Sequence, residues 1–161
     1  MRPLLPVLFA LPLGLVFTQA SPALAQRCEW LSPIGGDGVN PEVTKTIGPP
    51  KVSPIGLIAG KTNWNTDFIV SKPYRSYRFV FTAQSSAKAT YPIEGYLKFS
   101  DGSALRVINE TITPQVGGSR QWGPFPAVPG KAVSQLNLKI GSSRDPGSTG
   151  FTYRIGSQGC F

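Results

Sequence analysis

Short runs in which apolar and polar side chains alternate make up much of the chain after residue 25. In residues 74–83, for example, Tyr77, Phe79 and Phe81 alternate with polar or charged side chains. A period of two is typical of a strand with one face in the core and the other in solvent. No stretch has the i, i+3, i+4 apolar spacing of an amphipathic helix. The pattern therefore predicts an all-β protein.

The alternating runs, bounded by Gly- and Pro-rich stretches, predict eight strands. They lie at residues 43–47, 55–59, 64–70, 74–83, 91–100, 103–113, 132–140 and 150–155. Seven or eight short strands around one core are typical of an antiparallel β-sandwich of jelly-roll or immunoglobulin-like type, and a small barrel is the alternative. Residues 26–161 are long enough for a single domain.

The Ser100–Gly102 link is predicted to be a three-residue hairpin loop, because its glycine can take the left-handed conformation of a bulged turn. This loop would pair Leu97 with Leu105 and Gly95 with Val107, all directed inward.

The same register predicts that Asn109 points inward and that Glu94 and Glu110 share the outward face. Two carboxylates at that separation could act as the acid and base of an inverting glycosidase. Neighbouring Lys98 and Arg106 favour the alternative, in which the two glutamates are structural ion-pair partners.

A long segment without strand alternation, residues 114–130, is predicted to be a loop, and loops of this length are often functional. It carries a first candidate ligand site made of Arg120, Gln121, Trp122 and Phe125, in which aromatic rings stack and a cation binds an acidic group. The alternative is that Trp122 and Phe125 fold back as a plug over the end of the sandwich.

A second candidate ligand site lies on the outward face of the central strands. It consists of Arg78, Tyr96, Lys98 and Arg106, which would cluster if strand 74–83 neighbours the predicted hairpin. The alternative is a plain solvated face.

Residues 1–25 are predicted to be a cleavable signal peptide. Arg2 is followed by an apolar run at residues 4–17, and the small residues of Ala23-Leu24-Ala25 precede Gln26. The apolar run is shorter than the ~20 residues that a membrane-spanning helix needs. The mature protein is therefore expected to be secreted or periplasmic, with no transmembrane segment.

Cys28 and Cys160 are the only cysteines, and they lie near the two ends of the mature chain. In an oxidising compartment they can form one intramolecular bond, so the sequence predicts a Cys28–Cys160 disulfide.

The net charge is +8, which favours an acidic partner such as a polysaccharide or an acidic protein, although charge can also serve solubility alone. No basic run marks a nucleic-acid arm. The chain has no histidine, which excludes imidazole-based triads and histidine-ligated zinc. We expect no metal site and no cofactor, and the oligomeric state stays open.

These features favour a secreted or periplasmic, non-enzymatic binding module for an acidic or neutral polymer, with carbohydrate as the favoured ligand. Two alternatives remain. One is a structural or accessory subunit of a cell-envelope complex, which would carry a contiguous apolar patch. The other is a carboxylate-dependent, glycan-active enzyme built on Glu94 and Glu110.

Overall fold

The computed structural model describes residues 26–48, 51–53, 56–58, 64–85, 90–141 and 149–161. These residues form eleven strands and contain no helix. The strands are β1 Cys28–Trp30, β2 Glu42–Thr46, β3 Lys51–Ser53, β4 Gly56–Ile58, β5 Trp64–Ile69, β6 Ser76–Ala83, β7 Tyr91–Phe99, β8 Ala104–Ile112, β9 Ser119–Pro126, β10 Val133–Ile140 and β11 Thr152–Cys160. The predicted signal peptide lies outside the described residues.

Nine of the strands form two antiparallel sheets in a sandwich-like arrangement. The five-stranded sheet has the order β1-β11-β6-β9, with β2 also paired to β11, and the four-stranded sheet has the order β5-β10-β7-β8. Strands β3 and β4 pair with each other. The prediction of an all-β antiparallel sandwich is confirmed.

The core lies between the inward faces of the two sheets. Tyr77, Phe79 and Phe81 of β6 are almost completely buried, as their alternation predicts, and Phe81 stacks on Tyr153 of β11. The four-stranded sheet contributes fully buried apolar side chains from β5, β7 and β10. They are Phe68, Ile93, Leu97, Leu136, Leu138 and Ile140.

The Cys28–Cys160 disulfide is present and joins β1 to the end of β11, where the two cysteines are register partners. The predicted pairing is confirmed, and it is compatible with an oxidising, extracellular compartment. Among the residues with described positions, no helix is long and apolar enough to cross a membrane.

One side of the sandwich is closed by the segment that follows β1, which forms backbone hydrogen bonds with β5. After β1 the chain crosses to β5, where the Ile69 amide donates to the Ser32 carbonyl at 2.9 Å and the Ile34 amide donates to the Asp67 carbonyl at 2.8 Å. The crossing covers the outer edge of β5, so that its backbone groups gain partners.

Residues 114–130 are not a plain loop, because they contain the edge strand β9. The prediction missed this strand because Gly123 and Pro124 interrupt its alternation, and because its pairing with β6 shifts register between Tyr77 and Phe79. The alternation pattern also did not predict β1 and β3, because strands of three residues are too short to show a period.

The turn between β7 and β8 has the predicted conformation at its glycine. Gly102 has a φ of +83°, and the Phe99 amide donates to the Ser103 carbonyl at 2.8 Å. Leu97 pairs with Leu105 as predicted.

Replacing Gly102 with alanine is expected to lower the free energy of unfolding by about 1 kcal/mol, because a Cβ atom strains the left-handed conformation. No atom lies within 4 Å of that Cβ position, so the cost is conformational rather than steric crowding by a neighbour. Urea denaturation monitored by circular dichroism measures the change, with Ser100→Ala in the same turn as the control. An alanine variant as stable as the parent would contradict this account of the turn.

Beyond Leu105 the predicted register fails at a β-bulge. Val107 is an extra residue in β8, so that Gly95 pairs with Ile108 rather than with Val107. A Cβ atom at Gly95 would lie 2.5 Å from Ile108 Cδ1, which shows that the isoleucine side chain fills the space above the glycine. A shift of one residue moves every later side chain to the other face.

Two further predictions are wrong because of this shift. Ile108 and Ile112, rather than Asn109, point into the core, and Asn109 is exposed. Glu110 lies opposite the buried Ile93, whereas Glu94 lies opposite Asn109. The two glutamates therefore belong to opposite faces of the four-stranded sheet and do not form a pair across a substrate.

Candidate functional site

The first predicted ligand site is broken up, because Trp122 is a core residue with only 8% of its surface exposed. Its indole packs edge-on against Phe81, with ring centroids 6.2 Å apart, and Nε1 donates to Glu110 Oε1 at 2.5 Å. Arg120 Nε forms an ion pair with the same carboxylate at 2.9 Å. These contacts join β9 to β8 across the second side of the sandwich, so the plug alternative describes Trp122 correctly.

The two other members of that site point in different directions. Phe125 is half-buried and packs against Phe79, with ring centroids 6.1 Å apart. Gln121 is exposed and lies opposite Val80 on the outer face of the five-stranded sheet. Gln121 and Arg120 are the exposed polar members of the original set, and Arg120 is already paired with Glu110.

The second predicted site is divided between the two sheets. Arg78 belongs to β6 of the five-stranded sheet, whereas Tyr96, Lys98 and Arg106 lie on the four-stranded sheet. The prediction assumed that β6 neighbours β7. That was wrong, because β10 pairs with β7 instead.

The outer face of the four-stranded sheet is polar, and its charges neutralise one another. Lys98 forms an ion pair with Asp67 at 2.6 Å, and the Asn137 amide donates to the same carboxylate at 3.0 Å. Tyr96 and Arg106 are register partners beside these groups. The cations predicted to bind an acidic ligand on this face already have acidic partners.

Glu94 on the same face is held in its ionised form. Lys139 Nζ lies 2.6 Å from one of its carboxylate oxygens and Arg106 Nη1 lies 3.4 Å from the other. The hydrogen bond from Lys139 is the main cause that lowers the pKa of Glu94. A general acid needs a raised pKa, so this environment does not suit that role.

An exposed aromatic side chain that the sequence interpretation did not select lies on the five-stranded sheet. Trp30 is 43% exposed and its indole passes over Gly156 of β11. A Cβ atom at position 156 would lie 2.8 Å from Trp30 Cζ3 and 3.3 Å from Cε3, so only glycine leaves room for the ring. The ring is therefore supported from below by the sheet while part of its surface faces solvent.

Polar side chains continue from Trp30 across the outer face of this sheet. Trp30 pairs with Gln158, which in turn pairs with Arg78, so the three residues lie side by side on adjacent strands. In the neighbouring row Gly156 pairs with Val80, which pairs with Gln121. We call Trp30, Gln158, Arg78 and Gln121 the Trp30 face.

Arg78 is the cation of the Trp30 face. Its Nη2 donates to Gln26 Oε1 at 3.2 Å, and its Nε is buried with no hydrogen-bond partner. Within the described part of the chain no carboxylate forms an ion pair with Arg78, in contrast to Arg106, Arg120 and Arg154. The Trp30 face thus combines a supported aromatic ring, two amides and an arginine without an acidic partner.

Sequence reasoning missed this face because its members come from four separate segments. Trp30 follows Cys28 in a three-residue strand with no visible alternation, and its support is a glycine more than a hundred positions later. The available signal was the pair of glycines in β11, Gly156 and Gly159, each of which lies under an aromatic ring, Trp30 and Tyr74 respectively. Glycine in a strand often marks such a close approach.

The described residues include no group of three or more acidic or cysteine side chains arranged to hold a metal ion. Comparisons with protein-family models and with curated proteins found no match to this chain.

Proposed function

We propose that this chain is an exported, non-enzymatic carbohydrate-binding module that holds a sugar ring on the Trp30 face. The observation that carries the proposal is the partly exposed Trp30 indole supported by Gly156. A flat aromatic surface of this kind suits the apolar face of a pyranose ring. Because the ring is fixed before binding, little conformational entropy is lost when a ligand arrives.

Two amides on the Trp30 face offer polar contacts to a sugar: Gln158 lies beside Trp30, and Gln121 lies on β9 at the other edge of the sheet. Gln158 and Gln121 each offer donors and an acceptor, and hydroxyl groups can use both. Gln158 lies directly between Trp30 and Arg78 in the sheet, so a ring stacked on the indole would have an amide within reach of its hydroxyls. The combination of stacking and amide contacts favours carbohydrate over a purely apolar ligand.

Export is supported by two independent features. The disulfide between Cys28 and Cys160 is typical of proteins that leave the reducing cytosol. Residues 1–25 have the charged start, apolar run and small-residue cleavage site of a signal peptide.

A binding role is favoured over a carboxylate enzyme because the two candidate glutamates are separated. Glu94 is held by Lys139 and Arg106 on the outer face of the four-stranded sheet. Glu110 is held by Arg120 and Trp122 between the sheets. Neither arrangement resembles an acid and a base facing one substrate.

The accessory-subunit alternative gains little support from the surface. It calls for a contiguous apolar patch, but the most exposed apolar side chains among the described residues are Val39 and Val116. Val39 lies beside β2 and Val116 precedes β9, and these strands are at opposite edges of the five-stranded sheet. Ile34 and Ile69 are each about half exposed and lie on neighbouring segments, but two side chains are fewer than a patch of a few hundred Å² requires.

Replacing Trp30 with alanine is expected to weaken glycan binding about tenfold or more, because the stacking surface is lost. Binding of the mature protein to a glycan array, with washes at low and high salt, measures the effect and separates stacking from charge attraction. The matched control is Tyr96→Ala, which removes an aromatic ring from the opposite face and should leave binding unchanged.

Two results would contradict the proposal. One is a blank array with the parent protein. The other is a Trp30→Ala variant that binds like the parent, and if Tyr96→Ala lost binding at the same time, the site would lie on the four-stranded sheet.

A further inference from the structure

We propose that the sugar bound on the Trp30 face carries an acidic group, and that Arg78 binds this carboxylate or sulfate. The inference rests on the proposed function, because Trp30 positions the sugar ring. It adds the chemical class of the ligand and assigns the residue that selects it.

Most N–H donors of Arg78 make no hydrogen bond to the described residues. A guanidinium carries five N–H donors, and the one hydrogen bond that Arg78 makes to the described residues goes from Nη2 to Gln26 Oε1 at 3.2 Å. Nε is buried without a partner, which is costly for a polar group unless something else binds it. Because Nε is buried, a ligand would meet the Nη groups, whose remaining N–H donors can bind its oxygens.

Three other arginines are already neutralised by ion pairs. Arg106 is paired with Glu94, Arg120 with Glu110 and Arg154 with Glu42. Over the described residues Arg78 has no such acidic partner, although it lies on a strand in the middle of the five-stranded sheet. An arginine presents a planar fork that matches a carboxylate or sulfate in two-point contact.

The distance between the Trp30 ring and Arg78 suits a single bound sugar. Trp30 and Arg78 are separated by one intervening strand at Gln158, and two strand spacings amount to about 10 Å between their Cα atoms. Both side chains stand on the same face of the sheet. A sugar ring on the indole can therefore direct an acidic substituent toward the guanidinium while its hydroxyls meet Gln158.

Among the residues with described positions, no unpaired carboxylate on this face opposes an anionic ligand. Glu42 lies beside the Trp30 ring but is neutralised by Arg154, whose Nε is 3.4 Å from its carboxylate. The chain as a whole carries a charge of +8, which attracts anionic polymers before specific contacts form.

The test compares three polysaccharides of different charge with four forms of the mature protein. Polygalacturonate supplies carboxylates, dextran sulfate supplies sulfates and dextran supplies neither. The parent, Arg78→Gln, Arg78→Lys and Arg106→Gln are each titrated at physiological salt. Arg106→Gln is the matched control, because it removes the same charge from an exposed position on the opposite face.

Arg78→Gln is expected to weaken binding to the preferred acidic polymer about tenfold and to leave weak dextran binding unchanged. Arg78→Lys keeps the charge but loses the planar fork, so its affinity should lie between those of the parent and Arg78→Gln. Arg106→Gln should bind like the parent. The tighter of the two acidic polymers identifies the acidic group that Arg78 recognises.

Several outcomes would overturn the inference without affecting the proposed function. Equal weakening by Arg78→Gln and Arg106→Gln would indicate diffuse charge attraction. A parent protein that binds dextran as tightly as both acidic polymers would show that the acidic group is not recognised. Trp30→Ala is titrated beside these four forms to recognise a failure of the proposed function separately, since in that case its affinity for all three polymers equals that of the parent.

Discussion

Replacing Cys28 and Cys160 together with alanine is expected to lower the free energy of unfolding by about 4 to 5 kcal/mol. The disulfide closes a loop with a sequence separation of 132, and a cross-link over so long a loop strongly restricts the unfolded chain. The variant should nevertheless keep its β structure, because strands β2 to β10 lie between the two cysteines and do not need them for pairing. Urea denaturation followed by far-ultraviolet circular dichroism measures both properties.

Reduction of the parent protein is the control for this result. It breaks the same bond without replacing a side chain, so it should lower the free energy of unfolding by a similar amount. A shift below about 1 kcal/mol in both experiments would show that the unfolded chain remains compact without the bond.

The second large effect is expected for Trp122→Ala, which should lower the free energy of unfolding by about 3 to 5 kcal/mol. Removal of the buried indole leaves a cavity beside Phe81 and deprives Glu110 of the hydrogen bond that links β8 to β9. Thermal and urea denaturation measure the loss.

Two variants separate the contributions to this effect. Gln121→Ala changes the neighbouring exposed residue and should alter stability by less than about 0.5 kcal/mol. Trp122→Phe keeps an aromatic ring but loses the N–H donor, so its stability should lie between those of the parent and Trp122→Ala. A Trp122→Ala variant with parental stability and lost glycan binding would restore the idea that this residue is a ligand contact.

The sequence predicted the fold class because alternation is a direct consequence of burial on one face of a strand. Strands β6, β7 and β10 show this clearly, and their apolar residues are the core. The disulfide was equally predictable, since two cysteines in an oxidising compartment allow one intramolecular pairing. These features depend on local pattern and on composition.

The positions of the site residues depend on strand order and register, which local pattern does not determine. The bulge at Val107 moved Glu110 from the outer face to the space between the sheets. The insertion of β10 beside β7 separated Arg78 from Tyr96. Each of these features is set by packing against residues far away in the chain.

The Trp30 face is a site that the local sequence pattern did not predict. Arg78 and Gln121 were selected from the sequence as members of two different sites, and the structure brings them to one face. The Trp30 ring on the same face depends on Gly156, because the absence of a side chain there leaves room for the ring. This role arises only when β1 pairs with β11. Alternation could not identify such a site.

The β8 bulge also bears on how the protein behaves when it is concentrated. Strand β8 is the last strand of its sheet, and an exposed edge of nine residues could serve as a template for another chain and lead to fibrils. The extra residue at Val107 breaks the regular spacing of backbone donors and acceptors, and the charged Arg106 stands beside it. We therefore expect the irregularity that misaligned the predicted register to disfavour edge-to-edge aggregation.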